Sequence, residues 1–164
     1  IGRQHQVATM QLDMNLPERF DLSCINEKGD HERIVMIHSA IMGSIERFMA
    51  VLLEHTAGIL PLWLAPVQVK VLNVSEKQSE YAKGVADALK AANIRVELDD
   101  ANESLGKKIR NAKQEKIPYL LVVGDKEVES KTVSIDSRDM GKLDAMLVAD
   151  FIARASEEIK RRGQ

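Results

Sequence analysis

The sequence predicts an α/β protein: a mixed sheet with a parallel core flanked by helices, preceded by a partial antiparallel β/α fragment. Three observations carry this. Between residues 67 and 123, short apolar runs alternate with helical stretches, the order of a parallel sheet with right-handed crossovers. Short segments after residue 131 fit an antiparallel edge. Residues 1–65 hold only two strands and one helix by pattern, too little to bury a core alone.

In chain order, Val7 to Met14 alternates weakly, with Val7, Thr9 and Gln11 on one face and Ala8, Met10, Leu12 and Met14 on the other. Asn15-Leu16-Pro17 ends this strand. Asn26 to Asp30 is a turn in which Gly29 is free to take positive φ. Arg33 to His38 is a second strand, suited to pair antiparallel with the first. Ser44 to about Ala57 is helical, with Ile45, Phe48, Met49, Leu52 and Leu53 at helical spacing, and it stops near Gly58. Pro61 to Pro66 marks the junction, so the domains divide as 1–65 and 66–164.

Val67 to Val74 reads as a buried strand. Glu76 to Ala92 is a helix capped by Ser75, with Tyr81, Val85, Leu89 and Ala92 on one stripe. Ile94 to Leu98 is a strand; Ser104 to Lys116 is a helix with Leu105, Ile109 and Ala112 facing inward. Pro118 to Val123 is a strand closed by Gly124-Asp125. Thr132 to Asp136 is a short strand, and Leu147 to Arg161 an amphipathic helix.

Bulk composition narrows the function classes. With 45% hydrophobic and 29% charged residues, the 164-residue chain is globular in character. A net charge of −2 gives no global attraction for nucleic acid, so any RNA contact is local. One cysteine, Cys24, excludes an internal disulfide framework and fits a reducing compartment. No apolar run approaches the roughly 18 residues of a spanning helix. The start at Ile1, without an initiator Met or signal pattern, reads as a chain cut from something longer.

The richest stretch chemically is Met36 to Phe48: a strand carrying His38, a small-residue turn at Gly43-Ser44, then a helix with Arg47 in its first turns. A histidine holds a metal or switches protonation state; a guanidinium clamps phosphate. By residue pattern alone, His38 reads first as a core-edge histidine and Arg47 as an exposed helix arginine. Gln6, Thr9 and Gln11 project from one strand face, a solvated face or a binding one, and Asp13 supports that face. No nucleophile–base pair and no glycine-rich phosphate loop is visible.

The segments Gly2 to Asp13, Asn15 to Phe20, Met36 to Phe48, Trp63 to Val69, Asn102-Glu103, Ile117 to Tyr119 and Gly124 to Val128 resemble, in order and spacing, the threonyl-tRNA synthetases of class II. The resemblance implies that residues 1–65 end a class II catalytic domain, with motif 3 at Met36 to Phe48, and that 66–164 are an anticodon-binding domain. It implies a threonine–tRNA ligase that activates threonine with ATP and Mg by in-line displacement and transfers it to tRNA(Thr). That reaction is driven by positioning and charge stabilisation. On the family pattern His38 is one ligand of a zinc that chelates threonine; the other two ligands fall upstream of Ile1. Gln6, Thr9 and Arg47 are implied to contact ATP, Gln11 threonine, and Asn102, Lys116 and Glu127 the anticodon. The parent is implied to be a cytoplasmic homodimer without membrane contact.

The sequence departs from the pattern at Ala101 and Asp136, where arginine is usual, and at His5 and Ser39, in place of tryptophan and arginine. A carboxylate at Asp136 is expected to repel RNA phosphate. The 164-residue chain alone is not expected to be catalytically competent. The alternative reading is a non-catalytic synthetase-like binding module that has lost standard anticodon recognition.

Overall fold

Ala8–Asp13 (β1) opens the computed structural model, which describes residues 2–163. Asp13 then turns the chain. Its Oδ1 accepts from the backbone N–H of Asn15 at 2.9 Å and of Leu16 at 3.0 Å, starting a short helix, Asn15–Arg19 (α1), where the sequence reading has only a strand end. Pro17 is accommodated because first-turn N–H groups have no helical partner. Ser23–Ile25 (β2) and His31–Arg33 (β3) pair as a hairpin. At its tip Asn26 Oδ1 accepts from the N–H of Lys28 and Asp30, and Gly29 takes φ +85°.

Because residues 31–33 are committed to that hairpin, the next strand begins later than expected, at Met36–Ile41 (β4). β4 runs antiparallel to β1, with Gln11 opposite His38 and Asp13 opposite Met36. Met42 and Gly43 both take positive φ, 67° and 61°, and turn the chain sharply into Ile45–Thr56 (α2). Ser44 caps it, its Oγ accepting from Arg47 N–H at 3.3 Å. The helix ends at Ala57 in the left-handed region. Met10, Leu12 and Met14 remain 76%, 69% and 65% exposed, so the described residues leave that sheet face uncovered.

The chain divides into two compact units, the first up to Ala57 and the second from Gly58 onward. The second therefore takes in residues 58–65, which the sequence reading places in the first part. Specific bonds explain this. Gln68, fully buried, donates to Leu62 O at 2.8 Å; Arg95 donates to Ala65 O and Trp63 O; Leu62 and Ala65 are themselves buried.

The second unit continues through Val69–Asn73 (β5), a 3-10 turn at Glu76–Gln78, Ser79–Ala91 (α3), Val96–Asp99 (β6), Leu105–Gln114 (α4), Tyr119–Val123 (β7), Asp125–Ser130 (α5), Thr132–Ser137 (β8), Gly141–Leu147 (β9) and Val148–Arg161 (α6). The sheet order is β6-β5-β7-β8-β9. β5 is parallel to β6 and β7, and β8 and β9 add the antiparallel edge, as the pattern predicts. Ser75 leads its helix through Gln78, whose Oε1 accepts from Ser75 N–H and Oγ.

Two cores flank the sheet. On one face Val71, Leu121, Val123, Val133 and Ile135 pack with Val85 and Leu89 of α3 and Phe151 of α6. Phe151 meets Tyr119 edge-on, ring centroids 5.4 Å apart. On the other, Leu72 and Leu120 pack against Ala112 of α4 and Ile117. No helix of the described residues is long and apolar enough to cross a membrane.

Candidate functional site

In the first unit the strand register brings polar side chains together. Thr9, Gln11 and Asp13 alternate along β1, and His38 lies directly across from Gln11. His38 Nε2 is 2.9 Å from Asp13 Oδ2. The Leu16 N–H, followed by His38, holds the Asp13 carboxyl below its ordinary range. Gln11, Asp13, Asn15 and His38 line an open concavity of about 700 Å³. Gln6 lies ahead of β1 and reaches Thr9 through Nε2 to Oγ1 at 2.6 Å. Its access to that face comes from lying outside the strand, not from strand alternation. Arg47 stands exposed in the first turn of α2.

His38 has its Nε2 engaged by Asp13. Among the described residues, no three His, Cys, Asp or Glu side chains converge as metal ligands. The described residues by themselves do not make a zinc centre, and Cys24 is exposed in β2 away from any such group.

In the second unit, parallel pairing puts the carboxyl ends of β5, β6 and β7 at one sheet edge, with Leu72 level with Asp99 and Asn73 level with Val123. Asn102 and Glu127 stand on the chain just after β6 and β7, at that edge. Asn102 is exposed beside a turn in which Ala101 N–H donates to Asp99 Oδ1. Glu127 accepts from Gly124 N–H at 2.9 Å and from Ser134 Oγ at 2.7 Å. Burial alone pushes its carboxyl up, but these two hydrogen bonds prevail and hold it below the usual carboxylate value. Lys116 is not brought to this edge. It follows α4 in the left-handed region, φ 59°, ahead of β7 and so at the amino ends of the strands.

Below the loops lies a network that sequence reasoning missed. Lys108, 2% exposed, donates from Nζ to Asn73 Oδ1 at 2.8 Å, Asp99 O at 3.0 Å and Asn73 O at 3.3 Å. Asn73 Nδ2 donates to Ser79 Oγ and Ser75 O, and Gln78 donates to Asp125. The signal was available: Lys108 sits on the stripe of Leu105, Ile109 and Ala112, and Asn73 ends an otherwise apolar strand. Asp136, the carboxylate expected to repel RNA phosphate, lies 2.8 Å from Lys113 Nζ.

A family model described as "Anticodon binding domain" matches residues 68–158. The chain belongs to the anticodon-binding-domain family. Ahead of that domain, residues 1–56 match a second model, "tRNA synthetase class II core domain (G, H, P, S and T)". Over 162 residues, 99% of this chain, it is 49% identical to the threonine–tRNA ligase of Clostridium acetobutylicum, of which it covers 25%. It is 52% identical over the same share to that of Acetivibrio thermocellus, covering 26%. Among solved structures, the RNA binding domain of threonyl-tRNA synthetase from Cryptosporidium parvum Iowa II superposes with a TM-score of 0.87 at 40% identity, over 95% of this chain and 40% of that one. The anticodon-binding domain and its leading segment thus span about a quarter of the length of the curated relatives.

Proposed function

We propose that this chain is the C-terminal portion of a threonine–tRNA ligase, in which the second unit binds the anticodon of tRNA(Thr) and the first supplies motif 3 to the aminoacylation site. The observation that carries the reading is identity near one half across both units, not the second alone. In this role Glu127 and Asn102 offer acceptors and donors to base edges of a splayed RNA loop, and Lys116, at the amino ends of the strands, offers a cation to RNA phosphate away from those two. Glu127 suits a cytosine amino group or a similar donor, because its hydrogen bonds keep it ionised and fixed.

In the first unit, Gln11 meets threonine, and Gln6, Thr9 and Arg47 contact ATP with its Mg. A guanidinium at the start of α2 is suited to stack on adenine and offset phosphate charge. His38, steadied by Asp13, would be one ligand of a zinc; zinc bound there would supply a Lewis acid that discriminates threonine by its hydroxyl. Aminoacylation belongs to the longer enzyme, a cytoplasmic homodimer on this reading.

The test is filter binding of the chain at low salt to a threonine tRNA transcript and to one with an altered anticodon. We expect affinity to fall by at least tenfold on changing the anticodon. Equal binding of the two transcripts supports the non-catalytic module and overturns this reading.

A further inference from the structure

Strand β8 alternates between two faces. Val133 and Ile135 enter the core beside Phe151. Ser134 and Asp136 point the other way, level with Val122 and Leu120 of β7, toward the face on which α4 packs. Two polar ties therefore stand two residues apart on one strand face, about 7 Å. Ser134 holds Glu127, and Asp136 holds Lys113.

The second tie is asymmetric. The Asp136 side chain is 13% exposed and that of Lys113 58%, so the carboxylate lies beneath and the ammonium outside. Exposed Lys142 is directly across from Asp136 on β9. Two ammoniums, Lys113 and Lys142, thus flank the Asp136 carboxylate, with exposed Asp144 two residues further along β9. Lys113 lies about one helical turn before Lys116, and Asp136 is level with Leu120, so this tie stands toward the amino ends of the strands, two residues along β8 from the tie of Ser134 to Glu127.

We propose that Lys113 is an RNA-contacting residue that takes a backbone phosphate of the loop whose base meets Glu127, and that Asp136 is its positioning residue. The proposal rests on the anticodon-binding reading above. It reverses the expected sign of Asp136: the carboxylate serves RNA binding instead of opposing it.

The test measures binding of the 164-residue chain to a threonine tRNA transcript across salt concentrations. Lys113→Ala is expected to weaken binding about five- to tenfold at low salt and to reduce the salt slope by about 0.7, one phosphate on a single strand. Asp136→Asn is expected to weaken binding by less, and to add nothing to Lys113→Ala. Lys90→Ala, on α3 at the opposite face, serves as control and is expected to leave both quantities unchanged. Unaltered thermal melts establish that the variants fold, as the exposure of Lys113 leads us to expect. An unchanged slope in Lys113→Ala, or tighter binding by Asp136→Asn, overturns the assignment while leaving the functional reading intact. Failure of the unaltered chain to bind overturns both.

Discussion

Glu127 is bound at both carboxylate oxygens, one by the Gly124 N–H and one by Ser134. It therefore has a structural duty in addition to the proposed one. Its folded pKa lies below the ordinary 4.5, so its stabilising effect is present above that value and is lost as pH falls through the lower folded one. Glu127→Gln is expected to lower stability at pH 7 by about 1 kcal/mol. The gap between variant and parent should narrow below pH 4.5, a result that thermal melts at neutral and acid pH can check; a gap independent of pH would sink the argument. Single residues were unevenly legible. His38 and Glu127 stand out by type and motif. Of the partners that define them, Asp13 reads only as supporting the strand face, without its tie to His38, and Ser134 does not stand out. Asp13 lies 25 residues from His38 in sequence, and only the strand register brings them together.

At the scale of elements, Lys108 joins the ends of two strands, binding the Asn73 carbonyl and side chain on β5 and the Asp99 carbonyl on β6. Removing the ammonium leaves buried acceptors without a donor, which costs about 2–4 kcal/mol. We expect Lys108→Met to show that loss in urea denaturation, with faster hydrogen exchange at the Asp99 to Ser104 turn. Loss below 1 kcal/mol would mean that water replaces the lysine at no penalty. The helical stripes and the apolar parallel strands were legible because their periods are regular. α5 and β9 were not. α5 is only six residues long and buries none of them. β9 is an edge strand whose pairing with β8 shifts register between Val133 and Ile135 of β8, so its side chains follow no clean alternation. The hairpin of β2 and β3 buries nothing, and so leaves no hydrophobic signature in the sequence.

For the whole molecule, the two units differ in how much they bury. The second holds both apolar clusters, while none of the residues of α2 in the first is buried. Residues 58–164 are therefore expected to fold alone and melt cooperatively. Their two-state melt, followed by circular dichroism, checks this. The same piece started at residue 66 lacks Leu62 and the carbonyls that Gln68 and Arg95 bind, and is expected to melt several degrees lower. Equal melting temperatures would contradict the place given to residues 58–65. The proline-rich junction was visible in sequence, but its allegiance was not. Leu62 and Ala65 carry no period, and it is bonds from Gln68 and Arg95, both later in the chain, that fasten the segment.

The strand order carries a consequence for how this chain is made. β5 is flanked by β6 and β7, both synthesised after it. All five residues of β5 are buried in the finished sheet. Val123 follows Asn73 by about 50 residues, so at about 5–20 residues per second a nascent β5 waits about 2.5–10 s for its second neighbour. During that interval Val69, Val71 and Leu72 are at their most vulnerable to chaperone capture, and slow codons between residues 73 and 123 would lengthen it.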